Sequence, residues 1–172
     1  AGIREQLTGR SWFFSNDFAT RFLPLRWTLK HGLATFSEIQ TEPVHIVRMP
    51  HEPDRLGGVV KRLYHMQVSE LTTPNGAQWA LINVHMSAFD EGGNVRKQQL
   101  VYVLDYVESL YANGKHVVIG GDFNMQLADT DFPTTTAEEF LFWRTKFPQE
   151  RLAEGWQIVV DSSVPTMRSN ER

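Results

Sequence analysis

The chain contains no cysteine, no long apolar run and no excess of basic residues. Without cysteine it can form neither a disulfide bond nor a metal site with thiolate ligands, but this leaves its compartment, cytoplasmic or secreted, open. No apolar run approaches the roughly 20 residues that a transmembrane helix needs. The formal net charge of −3 does not favour strong non-specific nucleic-acid binding, which depends on a basic surface, although a local basic patch would still allow it.

The remaining composition is that of a folded domain. The chain has 172 residues, of which 41% are hydrophobic and 22% are charged, and it shows no repeats. A chain of this length and composition can bury a sizeable core in one domain. We therefore expect a single domain over residues 1–172, and the composition leaves its oligomeric state open.

The segment Lys115–Asn124 places polar side chains at the end of a predicted strand. Val117–Ile119 is an unbroken β-branched run, which predicts a strand that is buried on both faces. Two glycines follow and allow the backbone to turn sharply or to come close to a ligand. Asp122 and Asn124 come next, and they can hold a divalent metal, activate a water or orient a phosphate. The alternative is an Asx turn without function, but strand ends are where α/β proteins build their sites.

A β-hairpin is predicted upstream of this segment. Val59–Leu71 alternates between apolar and polar residues and predicts one long strand, interrupted only by Arg62. Thr73–Gly76 is a strong turn sequence, and Gln78–Met86 predicts the partner strand. His85 lies at the end of that partner strand. It can bind a metal, contact a phosphate or donate a proton, or it can be a buried structural histidine.

Further elements are predicted from the hydrophobic patterns. Val95–Ala112 carries one apolar stripe at three- and four-residue intervals, which predicts an amphipathic helix that covers the sheet. A capping box at Thr136 predicts a second helix that ends before Pro148. Shorter strands are predicted at Leu33–Ser37, Val44–Met49 and Trp156–Val160.

Several short motifs occur together in this chain. Gly120–Asn124 contains the sequence Gly-Asp-Phe-Asn, and Leu81–His85 is a strand that ends in Asn-x-His. The other motifs are an Arg-x-x-Gln pair in the helix, an earlier Gly-(hydrophobic)-Ala strand and a later Pro-Thr segment, at Arg96 with Gln99, Gly32–Ser37 and Pro165–Arg168. In this order and spacing, the set resembles the motifs of the endonuclease/exonuclease/phosphatase superfamily.

The resemblance implies a fold and a chemistry. The fold would be an α/β, four-layer sandwich, with two mixed β-sheets packed face to face and helices on the outside. The activity would be hydrolysis of a phosphodiester or phosphomonoester in a nucleic acid, phospholipid or inositol phosphate, with Mg²⁺ or Mn²⁺ as cofactor. The implied catalytic residues are His85, Asp122 and Asn124, of which Asp122 and Asn124 also hold the metal. Candidate substrate contacts are Asn83, Arg96, Thr166 and Arg168.

Parts of the superfamily pattern are missing from the chain. Its upstream Asn and metal-binding Glu cannot be assigned, because the surroundings of Asn16 and Glu5 do not match. No histidine follows Asp161, although the resemblance implies a downstream Asp-His pair. We therefore expect a partial domain that lacks superfamily segments at both ends. Two hypotheses follow: a metal-dependent phosphoesterase seen in part, or a non-catalytic binding module that keeps the fold.

Overall fold

The computed structural model describes residues 3–20, 31–39, 41–42, 44–51, 60–88, 91–129, 145–164 and 166. These residues form a mixed α/β arrangement, which confirms the α/β character of the predicted fold. In chain order, the helices and strands are α1 (Ile3–Gln6), β1 (Ser11–Asn16), β2 (Phe18–Thr20), β3 (Gly32–Ser37), β4 (His45–Arg48), β5 (Val60–Arg62), β6 (His65–Thr72), β7 (Gln78–His85), α2 (Asn94–Ala112) and β8 (His116–Asp122).

A four-stranded sheet forms the centre of the fold. Its strand order is β4-β6-β7-β8, in which β7 and β8 run parallel and the other neighbours run antiparallel. Helix α2 connects the parallel pair and covers one face of the sheet. The buried cluster that joins them includes Met66, Val68, Ile82, Val84, Leu100, Val103 and Val107. The predicted hairpin of β6 with β7 is therefore confirmed.

The structure of α2 agrees with the sequence pattern. The predicted helix over Val95–Ala112 is confirmed, with one additional residue at its start. It ends at Asn113, whose backbone N–H donates to the Ser109 carbonyl oxygen (3.2 Å). Within the described residues, no helix is both long enough and apolar enough to cross a membrane.

A second ladder packs on the opposite face of the central sheet. Strands β1 and β3 pair antiparallel along their whole length. Gln67, which alternates with the core residues of β6, donates from its side-chain amide to Ser15 Oγ (2.7 Å) and to the Leu33 carbonyl oxygen (2.8 Å). The described residues thus form three layers, namely α2, the central sheet and the β1–β3 pair. Strands β2 and β5 form a separate short ladder.

The single strand predicted over Val59–Leu71 is wrong. Strand β5 ends at Arg62 and pairs with β2, whereas β6 begins after a short break and pairs with β4 and β7. The break lies where the chain changes partner strands. The Leu63 N–H still donates to the carbonyl oxygen of Asp17 (2.7 Å), next to β2, whereas the Tyr64 carbonyl oxygen accepts from the Met49 N–H (2.9 Å), next to β4. Arg62 is therefore at a strand end and does not interrupt a continuous strand.

The prediction that Val117–Ile119 is buried on both faces is also wrong. Val117 and Ile119 pack against the cluster beneath α2, but Val118 on the other face is 49% exposed. The β1–β3 pair contacts β6 and β7, and the described residues leave that face of β8 open. The β-branched run therefore indicates a strand with one buried face.

Two further sequence predictions concern the second half of the chain. The strand predicted over Trp156–Val160 is wrong, because no described strand pairs with this segment. Trp156 and Ile158 still pack against the core, while Val159 is 90% exposed, so the apolar alternation comes from an extended segment that lies on the core. The second helix predicted from Thr136 lies outside the described residues as far as residue 144. Its predicted last residues, 145–147, are described and are not helical, because Lys146 forms a parallel bridge with Gln126.

Gly121 allows β8 to lie close against β7. Its φ is +133°, and a Cβ atom placed there would lie 2.0 Å from the Val84 carbonyl oxygen. Such a contact is far shorter than any real Cβ contact, so a side chain would force the two strands apart. The close neighbour of this second glycine is therefore strand β7, and the predicted close approach of a ligand to the Gly-Gly pair stays a prediction.

We expect Gly121→Ala to lower the free energy of unfolding by about 2–4 kcal/mol, through backbone strain and a clash with β7. Gly120→Ala is the matched control, because a Cβ atom there meets no atom within 4 Å. Its effect should stay within about 1 kcal/mol. Urea unfolding measures both values, and equal effects at the two positions would contradict the close approach at Gly121.

Candidate active site

The parallel pairing of β7 with β8 brings His85 and Asp122 together. They are direct partners in the register, at the carboxyl ends of the two strands. His85 Nε2 lies 3.9 Å from Asp122 Oδ2. The Asp122 side chain is 62% exposed and the His85 side chain is 24% exposed, so a ligand from solvent can reach both. The carboxyl ends of neighbouring strands are also where α/β sheets commonly bind ligands.

Asn124 is held in a tight turn beside Asp122. Its φ of +50° lies in the left-handed region, which asparagine tolerates better than most residues. Its backbone N–H donates to Asp122 Oδ1 (2.8 Å), and its Nδ2 donates to the Met86 carbonyl oxygen (2.9 Å). The Asx turn considered as an alternative is therefore present. The same bonds fix the Asn124 amide and direct its oxygen away from Met86.

Two buried polar residues at the start of α2 hold the loops around this site. Arg96 is 1% exposed, and its Nη1 donates to the Asn124 carbonyl oxygen. Gln99 is fully buried; its Oε1 accepts from the Ser87 N–H (2.8 Å), and its Nε2 donates to the Pro50 carbonyl oxygen (2.7 Å). Arg96 thereby stabilises the segment that follows β8, and Gln99 stabilises the segments that follow β7 and β4.

Arg62, at the end of β5, lies against His85. Its Nη2 is 3.1 Å from His85 Nδ1 and 3.3 Å from His85 Nε2. It is also 3.5 Å from Asp17 Oδ2, and the guanidinium carbon lies 4.9 Å from the centroid of the Tyr64 ring. Sequence reasoning missed this residue as part of the site. The only available signal was a charge that interrupts an alternating apolar pattern.

Asp17 and His31 form a second polar pair next to Arg62. The Asp17 N–H donates to the His31 carbonyl oxygen (2.9 Å), which continues the pairing of β1 with β3. His31 Nδ1 lies 2.6 Å from Asp17 Oδ1; the aspartate side chain is 4% exposed, whereas the histidine side chain is 51% exposed. The rings of His31 and His85 are 6.0 Å apart between centroids. No sequence motif marked Asp17 or His31, because only the strand pairing brings them here.

The surroundings of His85 favour its neutral form. Burial lowers the pKa of the imidazole, and the adjacent Arg62 guanidinium lowers that pKa further. The carboxylates of Asp122 and Asp17 oppose the shift, while His31 adds to it. Because the net shift is downward, His85 is neutral at neutral pH, and one ring nitrogen can accept a hydrogen bond from Arg62.

The other predicted substrate contacts are Asn83, Thr166 and Arg168. Asn83 faces the β1–β3 layer, where its Nδ2 donates to the Ala34 carbonyl oxygen (3.2 Å) and to Thr35 Oγ1 (3.1 Å). Thr166 is exposed, and Arg168 lies outside the described residues. The substrate roles of Asn83, Thr166 and Arg168 therefore stay predictions, as do the catalytic roles of the residues at the sheet edge.

Asp122 and Asn124 offer oxygen ligands for a hard divalent cation. Across the described part of the chain, no three His, Asp or Glu side chains converge on a point that could hold a metal. A carboxylate with an amide oxygen suits Mg²⁺ or Mn²⁺, and Mg²⁺ commonly completes its shell with waters and substrate phosphate. The residues present therefore fit a cation that is held jointly with a phosphate ester, and not one held by protein ligands alone.

We expect the His85 imidazole to titrate below pH 6.5 when no divalent cation is present. Arg62→Gln should raise its pKa, and Asp122→Asn should lower it, because the two neighbours act in opposite directions. In the wild-type protein, the folded chain binds the His85 proton less tightly than the unfolded chain does. The free energy of unfolding that His85 contributes is therefore present above about pH 6.5 and is lost as the pH falls towards the folded pKa. An NMR titration measures the midpoints; a wild-type midpoint at or above 6.5 would contradict this description.

Solved structures of two proteins are similar to this chain. The human nocturnin catalytic domain, solved with a bound sulfate anion, has a TM-score of 0.54 and 16% sequence identity; the match covers 71% of this chain and 45% of that one. Two structures of ANGEL2, described as a 2′,3′-cyclic phosphatase and in one case bound to adenosine-2′,3′-vanadate, have TM-scores of 0.49 and 0.48. Each is 19% identical over 69% of this chain and 33% of its own.

The likeness to nocturnin establishes the fold. The chain spans less than half the length of the structures that it matches. No protein-family model matches the sequence, and no curated protein sequence matches it. Nocturnin belongs to the superfamily whose motifs the sequence resembles. The chain therefore has the fold of the endonuclease/exonuclease/phosphatase superfamily, as those motifs predicted.

Proposed function

We propose that this chain is a hydrolase of phosphate esters and that the sheet edge at His85 and Asp122 is its active site. The observation that carries the proposal is the register of β7 and β8, which sets an exposed carboxylate 3.9 Å from an imidazole that contacts an arginine. Phosphoryl transfer needs both kinds of group, since donors bind the phosphoryl oxygens and a carboxylate holds a metal or a water.

Arg62 and His85 bind the phosphoryl oxygens in this proposal. The guanidinium has more donors, in a fixed plane, than its contacts with His85 and Asp17 use. A neutral His85 donates from the ring nitrogen that carries the proton. Asp122 orients the attacking water and takes its proton, while Asn124 orients that water or a phosphoryl oxygen.

Mg²⁺ or Mn²⁺ is the proposed cofactor, with Asp122 and Asn124 as its protein ligands. When bound, such a cation polarises the phosphoryl group and offsets the negative charge that develops during the reaction. Arg96 supports the ligands indirectly, because its bond to the Asn124 carbonyl oxygen fixes the turn that carries both residues. Its role in this proposal is therefore to position Asn124.

The proposal extends to the rest of the domain. We propose that residues 1–172 belong to one domain of the four-layer sandwich type, and the described residues supply three layers, namely α2, the central sheet and the β1–β3 pair. Asn83, Thr166 and Arg168 are proposed further substrate contacts. The substrate is a nucleic acid, a phospholipid or an inositol phosphate, and the net charge of −3 does not favour the first.

A second candidate function is a binding module without catalysis. One observation favours it, namely that within the described residues no cluster of three His, Asp or Glu side chains could hold a metal. Such a module would keep the fold and bind a phosphate-bearing partner through Arg62 and His85. A folded protein that is inactive on diesters, monoesters and phospholipids would establish this alternative.

We expect Asp122→Asn to lower kcat on bis(4-nitrophenyl) phosphate with Mg²⁺ by at least about 100-fold, because it removes the charged metal and water ligand. A chelator should abolish the wild-type activity, and added Mn²⁺ or Mg²⁺ should restore it. Release of nitrophenolate measures the rate.

The matched control for this experiment is Asp161→Asn. Asp161 is an exposed acid, and its Oδ1 accepts hydrogen bonds from the backbone N–H and the hydroxyl of Ser163 in the same turn. The Asp161→Asn substitution should therefore leave kcat within about twofold of wild type. Equal losses in the Asp122 and Asp161 variants, or activity that survives chelation, would count against the proposed site.

Arg62→Lys tests the proposed phosphate contact. The lysine keeps the charge but loses the planar fork of donors, so KM should rise about tenfold while kcat changes less. Arg10→Lys is the control, because Arg10 pairs with the exposed Glu38 away from His85. An unchanged KM in the Arg62 variant would remove this residue from the substrate site.

A further inference from the structure

The Asp17–His31 pair adjoins the proposed active site through a shared arginine. Arg62 Nη2 lies 3.5 Å from Asp17 Oδ2 and 3.1 Å from His85 Nδ1. The His31 ring lies 6.0 Å from the His85 ring between centroids. The four side chains therefore form one contiguous polar group, although the roles proposed above use only two of them.

The pair has the form of an oriented acid–base group. The Asp17 carboxylate is 4% exposed, and it accepts the His31 Nδ1 proton over 2.6 Å. A buried carboxylate in this position orients an imidazole and fixes its tautomer, with a proton on Nδ1. The half-exposed ring leaves the other nitrogen, Nε2, available for proton transfer to a ligand.

The strand order places this pair and Asp122 on opposite flanks of His85. Asp122 is at the end of β8, on one side of β7. Arg62 precedes the start of β6, which lies on the other side of β7, and the first residues of β6 pair with the last residues of β7. A phosphoryl group bound by His85 and Arg62 therefore has a carboxylate on one flank and the His31 imidazole on the other.

We propose that His31 is the general acid of the reaction and that Asp17 is its positioning residue, an inference that rests on the proposed phosphoesterase function. As water bonds to phosphorus, Asp122 takes its proton. The bond from phosphorus to the ester oxygen breaks with its electron pair on that oxygen, which takes the proton from His31 Nε2. Solvent then carries a proton from Asp122 back to His31, so that ester and water yield alcohol and phosphate.

The test compares two diesters of similar shape, bis(4-nitrophenyl) phosphate and diphenyl phosphate. Nitrophenolate departs without a proton, whereas the more basic phenolate needs one. His31→Asn should therefore lower kcat by about 100-fold or more on diphenyl phosphate and by less than about tenfold on the nitrophenyl ester, with KM little changed on either. Added imidazole should restore part of the diphenyl phosphate activity to His31→Ala.

Two further variants separate catalysis from structure. Asp17→Asn should lower kcat with the same dependence on the leaving group, because it disturbs the orientation of His31. A change in KM is expected as well, since Asp17 Oδ2 also lies 3.5 Å from Arg62 Nη2. His116→Asn is the control, since this exposed histidine lies at the opposite end of β8 from Asp122, and its kcat should stay within about twofold of wild type. Thermal melting identifies a variant that has failed to fold. The restoration of activity by imidazole is measured only on a His31→Ala protein that melts cooperatively.

The outcomes distinguish this inference from the function on which it rests. A folded wild type that cleaves neither ester with Mg²⁺ or Mn²⁺ overturns the phosphoesterase proposal and the inference together. Activity that depends on Asp122 but is unchanged in His31→Asn overturns only the inference. An equal loss of kcat on the two esters also overturns the inference, because the effect of a purely structural residue does not depend on the basicity of the leaving group.

Discussion

The parallel register of β7 and β8 is the constraint on which the site depends. Parallel neighbours require a crossover, which α2 supplies, and their carboxyl ends meet where His85 pairs with Asp122. Gly121 makes this pairing possible, because a Cβ atom there would lie 2.0 Å from the Val84 carbonyl oxygen. Arg96 closes the arrangement from the start of α2 by bonding the Asn124 carbonyl oxygen. The strand pairing, the crossover helix and Gly121 therefore all contribute to the placement of His85 beside Asp122.

A set of buried or half-buried polar side chains, Ser15, Thr35, Gln67 and Asn83, lies between the β1–β3 pair and the central sheet. This set, called the polar seam below, determines which residues of the β1–β3 layer lie near His85. Gln67 is fully buried, donates to Ser15 Oγ and to the Leu33 carbonyl oxygen, and accepts from Thr35 Oγ1 (2.6 Å). Buried polar groups favour one arrangement strongly, because any displacement would leave a donor or acceptor unpaired in a medium of low dielectric constant. The polar seam thereby fixes β1 and β3 over the central sheet, and the Asp17–His31 pair at their ends comes to lie beside His85. Asn83 bonds within the polar seam, so a substrate contact by its amide would have to displace structural hydrogen bonds.

Features of the fold that depend on local periodicity could be predicted from the sequence, and features that depend on distant partners could not. The hairpin of β6 with β7 and helix α2 follow from alternation and from a three- to four-residue apolar repeat. The break before β6 is where the chain changes partner strands, from β2 to β4 and β7, and no local pattern contains that change. The motif Gly120–Asn124 indicated Asp122 because its residues are contiguous. Arg62, Asp17 and His31 belong to no such motif, and only the pairing of strands brings them to His85.

The charges around His85 couple cation binding to phosphate binding on the proposed function. Arg62 is 3.5 Å from the buried carboxylate of Asp17, so part of its charge is already balanced within the protein. Asp122, on the rim and 3.9 Å from His85, repels a phosphate that approaches the same imidazole. A cation on Asp122 removes this repulsion and adds an attraction, so cation and phosphate each raise the affinity for the other by the same factor. His85 can take part without taking up a proton, because its lowered pKa leaves it neutral and still able to donate one N–H. On the proposed function, substrate binding at this edge therefore depends on the cation and does not require His85 to take up a proton.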